Sequence, residues 1–181
     1  MSAFLLVQVS GCSGSPGGKL KAYDPPTAAA KAIELYDANG DGKLAADELT
    51  KSPALAVSAR RLDSNRDSML TADEIQARFE EAAKWPKLIG LDTWVSARGR
   101  PLVGAELTLT PEPFMGDNYP VFKGSTVEGG GYVSPTDERE LIGVPAGFYT
   151  LRVVHPGQRI DIVRGIEIAS DTTGSRLEIA L

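Results

Sequence analysis

One cysteine, one histidine and three methionines are spread over 181 residues, and each scarcity removes a class of function. A lone cysteine closes no intramolecular disulfide. With a single histidine beside it, the chain has no cluster of soft ligands for zinc. Basic charge shows no excess, since 19 Lys and Arg stand against 24 Asp and Glu, a net charge of −5. The two signs are interspersed, which excludes the concentrated basic face of a nucleic-acid binder. No apolar run approaches the roughly 18 residues of a membrane-spanning helix. No nucleophile elbow, phosphate-cradling glycine loop or paired acid and base stands out, so no enzyme and no small-molecule substrate is expected. His155, in Val-Val-His-Pro-Gly, reads as a turn residue at a strand end.

The chain does hold two contrasting textures. Residues 13–26 are rich in Ser, Gly and Pro and read as a flexible linker. From 27 to 85 the sequence is Ala-rich, with few β-branched residues and no period-two alternation, which predicts helices. After Pro86 alternating segments appear, among them ELTLT (106–110), YTLRV (149–153), RIDIV (159–163), GIEIA (165–169) and RLEIAL (176–181). Gly and Pro turns separate them, as in half-buried antiparallel strands. Leu107 and Leu109 are expected to face inward, and Tyr149, Leu151 and Val153 to share one face. Helices first and strands afterwards predicts two domains laid end to end, 27–85 and 86–181. PEPFMGDNYPVF (111–122) is expected to be a long connection with its aromatics on the rim of the β part.

The helical stretch carries two acidic dodecamers, DANGDGKLAADE (37–48) and DSNRDSMLTADE (63–74), 26 residues apart. Both resemble EF-hand calcium loops. By that resemblance Asp37, Asn39, Asp41, the carbonyl of Lys43 and Glu48 hold one Ca2+. Asp63, Asn65, Asp67, the carbonyl of Met69 and Glu74 hold a second. The chemistry agrees: calcium takes six to eight oxygens in a forgiving geometry, and short carboxylates at alternate residues with a longer Glu beyond supply them. Leu44 and Leu70 are expected to meet in a small two-stranded contact. Ser52-Pro53 reads as an N-cap with Pro at the first helical position. At the sharp turn Gly42 faces a counterpart Ser68, whose Cβ costs about 1–2 kcal/mol in left-handed backbone. Thr71 and Glu74 form a capping-box pattern that Ala45 cannot copy. Both loops are therefore expected to bind, the first more tightly.

In the β-rich half, GRPLVGAELTLTPE (99–112), GSTVEGGGYVSP (124–135) and LIGVPAGFYTLRVVHPG (141–157) resemble the carboxypeptidase-regulatory-like, or transthyretin-like, β-sandwich of envelope proteins. The resemblance implies a fold and says little about function. At the other end, AFLLVQVSGC (3–12) closes on Val9-Ser10-Gly11-Cys12 and resembles the lipobox of bacterial lipoproteins. That implies a signal segment, 1–12, with Cys12 as the lipidated residue. No Lys or Arg precedes the apolar run.

Taken together these features predict an α+β multidomain fold: an N-terminal helical EF-hand pair followed by a C-terminal antiparallel β-sandwich, transthyretin-like or Ig-like. The expected function is a calcium-binding, non-catalytic protein of the cell envelope, anchored to the membrane through lipid at Cys12 on the periplasmic or outer-membrane face. The sandwich would meet an envelope protein or a glycan. Without a working signal the chain is instead a cytoplasmic calcium buffer or sensor. A scarcity of Met in the helical stretch favours a structural role for calcium over a switch.

Overall fold

The structure is a computed structural model and describes residues 24–84, 88–135, 143–171 and 176–181. Cys12, the lipobox and most of the Gly/Pro-rich stretch lie outside the described residues. The chain runs α1 (Pro25–Tyr36), β1 (Lys43–Leu44), α2 (Ala46–Leu49), α3 (Pro53–Leu62), β2 (Leu70–Thr71) and α4 (Ala72–Ala82). It continues through β3 (Asp92–Ala97), β4 (Arg100–Pro101), β5 (Glu106–Pro111), β6 (Phe122–Val127), β7 (Gly130–Pro135), β8 (Gly147–His155), β9 (Ile160–Ile168) and β10 (Arg176–Ala180).

Helix starts follow local chemistry. Asp24 caps α1 by accepting the Thr27 N–H, with prolines opening the first turn. Ser52, fully buried, caps α3 ahead of Pro53. Apolar residues then recur on one face of each helix: Ala28, Ala32 and Tyr36 in α1, Leu55 and Leu62 in α3, Ile75 and Phe79 in α4.

Strands β3 to β10 form one sheet in the order β10-β3-β7-β6-β5-β8-β9, with β4 beside β3. All neighbours are antiparallel except β10, which lies parallel to β3. Leu107, Leu109, Tyr149, Leu151 and Val153 are all buried, the period-two faces that alternation predicts. The sheet curls into a half-barrel, and its two edges approach closely enough for Arg164 on β9 to donate to the Ala180 carbonyl on β10 at 3.0 Å.

Alternation breaks down at Phe148 and Tyr149, consecutive residues that are both buried. Consecutive side chains point to opposite faces, so this part of β8 is covered on both. Inside the curl, Tyr149 meets Phe122 edge-on. On the outer face, Phe148 meets Phe79 of α4 with ring centroids 5.5 Å apart. Phe114 completes the cluster, touching Phe79, Phe148 and Tyr36. At about 1.5–3 kcal/mol for each buried ring, this cluster outweighs any exposed ion pair.

The expected α+β multidomain arrangement with an N-terminal helical EF-hand pair is therefore corrected, while the curled antiparallel sheet is compatible with the β-sandwich part of that expectation. Among the described residues strand outweighs helix, 36% against 31%, and the four short helices sit mid-chain. One contiguous core runs from Ala28 in α1 to Ile179 in β10. The physical reason is size: a stretch with helices of 12, 4, 10 and 11 residues buries only a marginal core by itself. Their large apolar residues close on the sheet instead. The fold is β-rich, with a curled, mainly antiparallel sheet. PEPFMGDNYPVF, expected on a rim, contributes Phe114 and Met115 to the seam between helices and sheet, both buried.

Polar groups cross the same seam. Glu112, at the end of β5 and only 3% exposed, accepts the Tyr36 hydroxyl at 3.1 Å and the Ala54 N–H of α3 at 3.2 Å. Burial, foremost, and the neighbouring Glu112 push the Tyr36 phenol well above its ordinary range. Glu167 on β9 takes Arg61 of α3 and Arg78 of α4, both at 2.6 Å, and Arg78 also holds Asp171. Between them the backbones touch: a Cβ built on Gly165 of β9 would collide with the Pro53 carbonyl of α3.

Candidate functional site

The two acidic dodecamers are the loops between α1 and α2 and between α3 and α4. The antiparallel pair β1–β2 joins them, with Leu44 opposite Leu70 and both fully buried. This pairing fixes the loops side by side.

Each loop is wound by the same hydrogen-bond frame. In loop one, Asp37 accepts the N–H groups of Gly40 at 2.7 Å and Gly42 at 2.8 Å. Asn39 accepts from Asp41 N–H, and Asp41 from Lys43 N–H. Glu48 reaches back with both oxygens, one to the N–H groups of Ala38 and Asn39, the other to that of Ala45. In loop two, Asp63 accepts from Ser68 and Asp67, Asn65 from Asp67, and Asp67 from Met69. Glu74 reaches back to Ser64, Asn65 and Thr71. Lys43 and Met69, expected to offer carbonyl oxygens, stand at the start of β1 and immediately before β2.

Contacts of this kind favour the ionised form of Asp37, Glu48, Asp67 and Glu74. Main-chain N–H groups, that of Gly42 foremost, keep the Asp37 carboxyl below the usual carboxylate range, and those of Ala45 and Ala38 do so for Glu48. Burial works against ionisation of Glu74, but the Thr71 N–H and hydroxyl with the N–H groups of Ser64 and Asn65 prevail, so its pKa also falls. Asp67 is lowered chiefly by the Lys43 ammonium, which reaches across from loop one to Asp67 Oδ2 at 3.0 Å. The same contact raises Lys43.

The backbone sets the loops apart. Both pass twice through left-handed conformation. Loop one uses Gly40 (φ 76°) and Gly42 (φ 81°), whereas loop two uses Arg66 (φ 63°) and Ser68 (φ 66°). Of these two strained positions in loop two, the sequence points to Ser68 but not to Arg66. Thr71 completes a reciprocal cap with Glu74, its hydroxyl accepting the Glu74 N–H. Ala45 has no side-chain acceptor, so in loop one only the Glu48-to-Ala45 half forms.

Among the described residues no group of three or more Asp, Glu, His or Cys side chains is arranged to hold a metal ion by itself. The donor chemistry of the loops is broader than that set, because it adds a carboxamide and a main-chain carbonyl. A carboxylate offers about four lone-pair sites, and the N–H contacts above occupy only part of them. Hard oxygens of this kind fit calcium better than a softer ion.

His155 sits apart from both loops. Its Nδ1 accepts the Gln158 N–H at 3.1 Å and its Nε2 lies 3.0 Å from the Val103 carbonyl, so it ties a turn. Glu112, Arg78 and the side chain of Lys43 are the residues that sequence reasoning missed, because their partners are remote in the chain. No protein-family model matches the chain, and no curated protein matches it either.

Proposed function

We propose that the protein is a non-catalytic, calcium-binding protein of the cell envelope, anchored through lipid at Cys12, whose two EF-hand-like loops each hold one Ca2+. The observation that carries this reading is the repeated frame. Two loops 26 residues apart in sequence present Asp, Asn, Asp and a closing Glu on closely matching main-chain hydrogen bonds. A bound divalent ion supplies positive charge that offsets the mutual repulsion of the carboxylates. Asp37 and Asp63, tied to the N–H groups three to five residues on, hold each loop wound. Glu48 and Glu74 fix each loop to the helix that follows it.

The seam to the sheet supports a structural role for calcium under this reading. Tyr36, immediately before Asp37, donates to buried Glu112, and the first turn of α3, which leads into loop two, donates to the same carboxyl. Ordering the loops therefore also orders the contact with the β-rich part. That part, whose strands resemble the transthyretin-like family, serves as the structural or interaction surface for an envelope protein or glycan.

Calorimetric titration of calcium into the metal-stripped protein tests the reading, with Asp37→Ala and Asp63→Ala alongside. Two sites in the parent and one in each variant are expected. Absence of heat, together with an unchanged melting temperature in calcium, would sink it. The anchor is tested separately by acyl labelling, which Cys12→Ser should abolish together with membrane association.

A further inference from the structure

The seventh residue of such a loop contributes only its main-chain carbonyl, so its side chain is free to do something else. In loop one that residue is Lys43. Its place in β1, opposite Thr71, carries the ammonium out of its own loop and onto Asp67 Oδ2 of loop two at 3.0 Å. Asp67 is a fifth-position oxygen donor there. Asp67 is its direct partner, and Asp41 and Glu74 act on it only more weakly and without contact. The arrangement is not reciprocal, because the matching residue of loop two is the uncharged Met69.

We propose that Lys43 is a tethered competitor that lowers the calcium affinity of loop two. The inference rests on the calcium reading given above. A cation arriving in loop two finds one of its oxygens already engaged by a positive charge, and must displace that charge or share the carboxylate with it. Among the described residues no side chain of loop two engages a loop-one carboxylate in this way. Lys43 thus makes two near-copies bind at different concentrations and makes loop two the less salt-sensitive, because screening that weakens the carboxylates' attraction also relieves the ammonium's repulsion of the dication. For an ammonium next to a dication in a solvent-rich setting the effect is on the order of tenfold at low ionic strength.

Calcium titrations of the metal-stripped full chain, Lys43→Met and Lys43→Arg test this, each with and without Glu74→Gln. The Lys43 side chain is 41% exposed, so its replacement leaves the core alone. Lys43→Met is expected to tighten the weaker site by roughly tenfold at about 0.02 M ionic strength, and by much less at about 0.5 M. Lys43→Arg keeps the charge and should keep the parent affinity. With loop two disabled by Glu74→Gln, Lys43→Met should leave the remaining site unchanged within about twofold. Two sites in the parent with no change in Lys43→Met overturn the role of Lys43 and leave calcium binding standing. No binding in the parent and none in Lys43→Met overturn both.

Discussion

Loop one turns twice through left-handed backbone and has glycine at both points; loop two makes the same turns with Arg66 and Ser68. Loop two, in return, has the complete cap of Thr71 and Glu74, where loop one has Ala45. Loop one also sends Lys43 into its neighbour and receives nothing comparable. The pair teaches that two loops with one sequence pattern can divide strain, capping and charge between them.

The largest expected effect removes what both loops share. Glu112→Ala strands the buried Ala54 N–H and the Tyr36 hydroxyl, and should cost about 3 kcal/mol, read as a fall in urea midpoint. Next, Gly42→Ala transfers the strain of loop two to loop one and should cost about 1–2 kcal/mol. Ser68→Gly should recover a smaller amount in loop two, since glycine also loosens the unfolded chain. If both variants leave stability and calcium affinity unchanged, the backbone account of the difference is wrong. Smaller still, Thr71→Ala should cost about 1 kcal/mol by removing a cap, whereas Ala45→Thr should stabilise loop one by less.

Acid distinguishes the loops without any change to their turns. Asp37, Glu48, Asp67 and Glu74 have carboxyls held below their ordinary values in the folded protein. Each therefore contributes stability that is complete above the unfolded carboxyl value of about 4 and lost as pH falls through the lower folded value. The urea midpoint of the metal-free protein should stay level from about pH 7 to 5 and then drop. Lys43→Met removes the chief cause acting on Asp67 and should shrink that drop through loop two alone. A midpoint level down to about pH 3 would contradict the assignment.

Much of each loop was legible because spacing is local. Asp37, Asn39 and Asp41 stand two residues apart, and Gly42 against Ser68 announces a difference in strain by residue type alone. Strand faces such as Leu107 and Leu109 were legible as alternation. The arrangement of halves was not. The change of texture near Pro86 looks like a domain boundary, yet Tyr36 meets Glu112 across 76 residues and Arg78 meets Glu167 across 89. No periodicity reports a pairing of that range. Phe114 and Met115 carried a signal, an apolar pair in a Pro-punctuated loop, but nothing local says which surface they cover.

Where β9 passes the first turn of α3, main chain lies against main chain at Gly165 and Pro53, with no room for a side chain between. Such a join cannot be adjusted by choosing a smaller or larger residue. A graft of these helices onto another sheet would have to present a bare backbone at the same spot, in the same register. For gene fusion, the acidic loops and the curled sheet are not interchangeable cassettes and have to be moved as one piece.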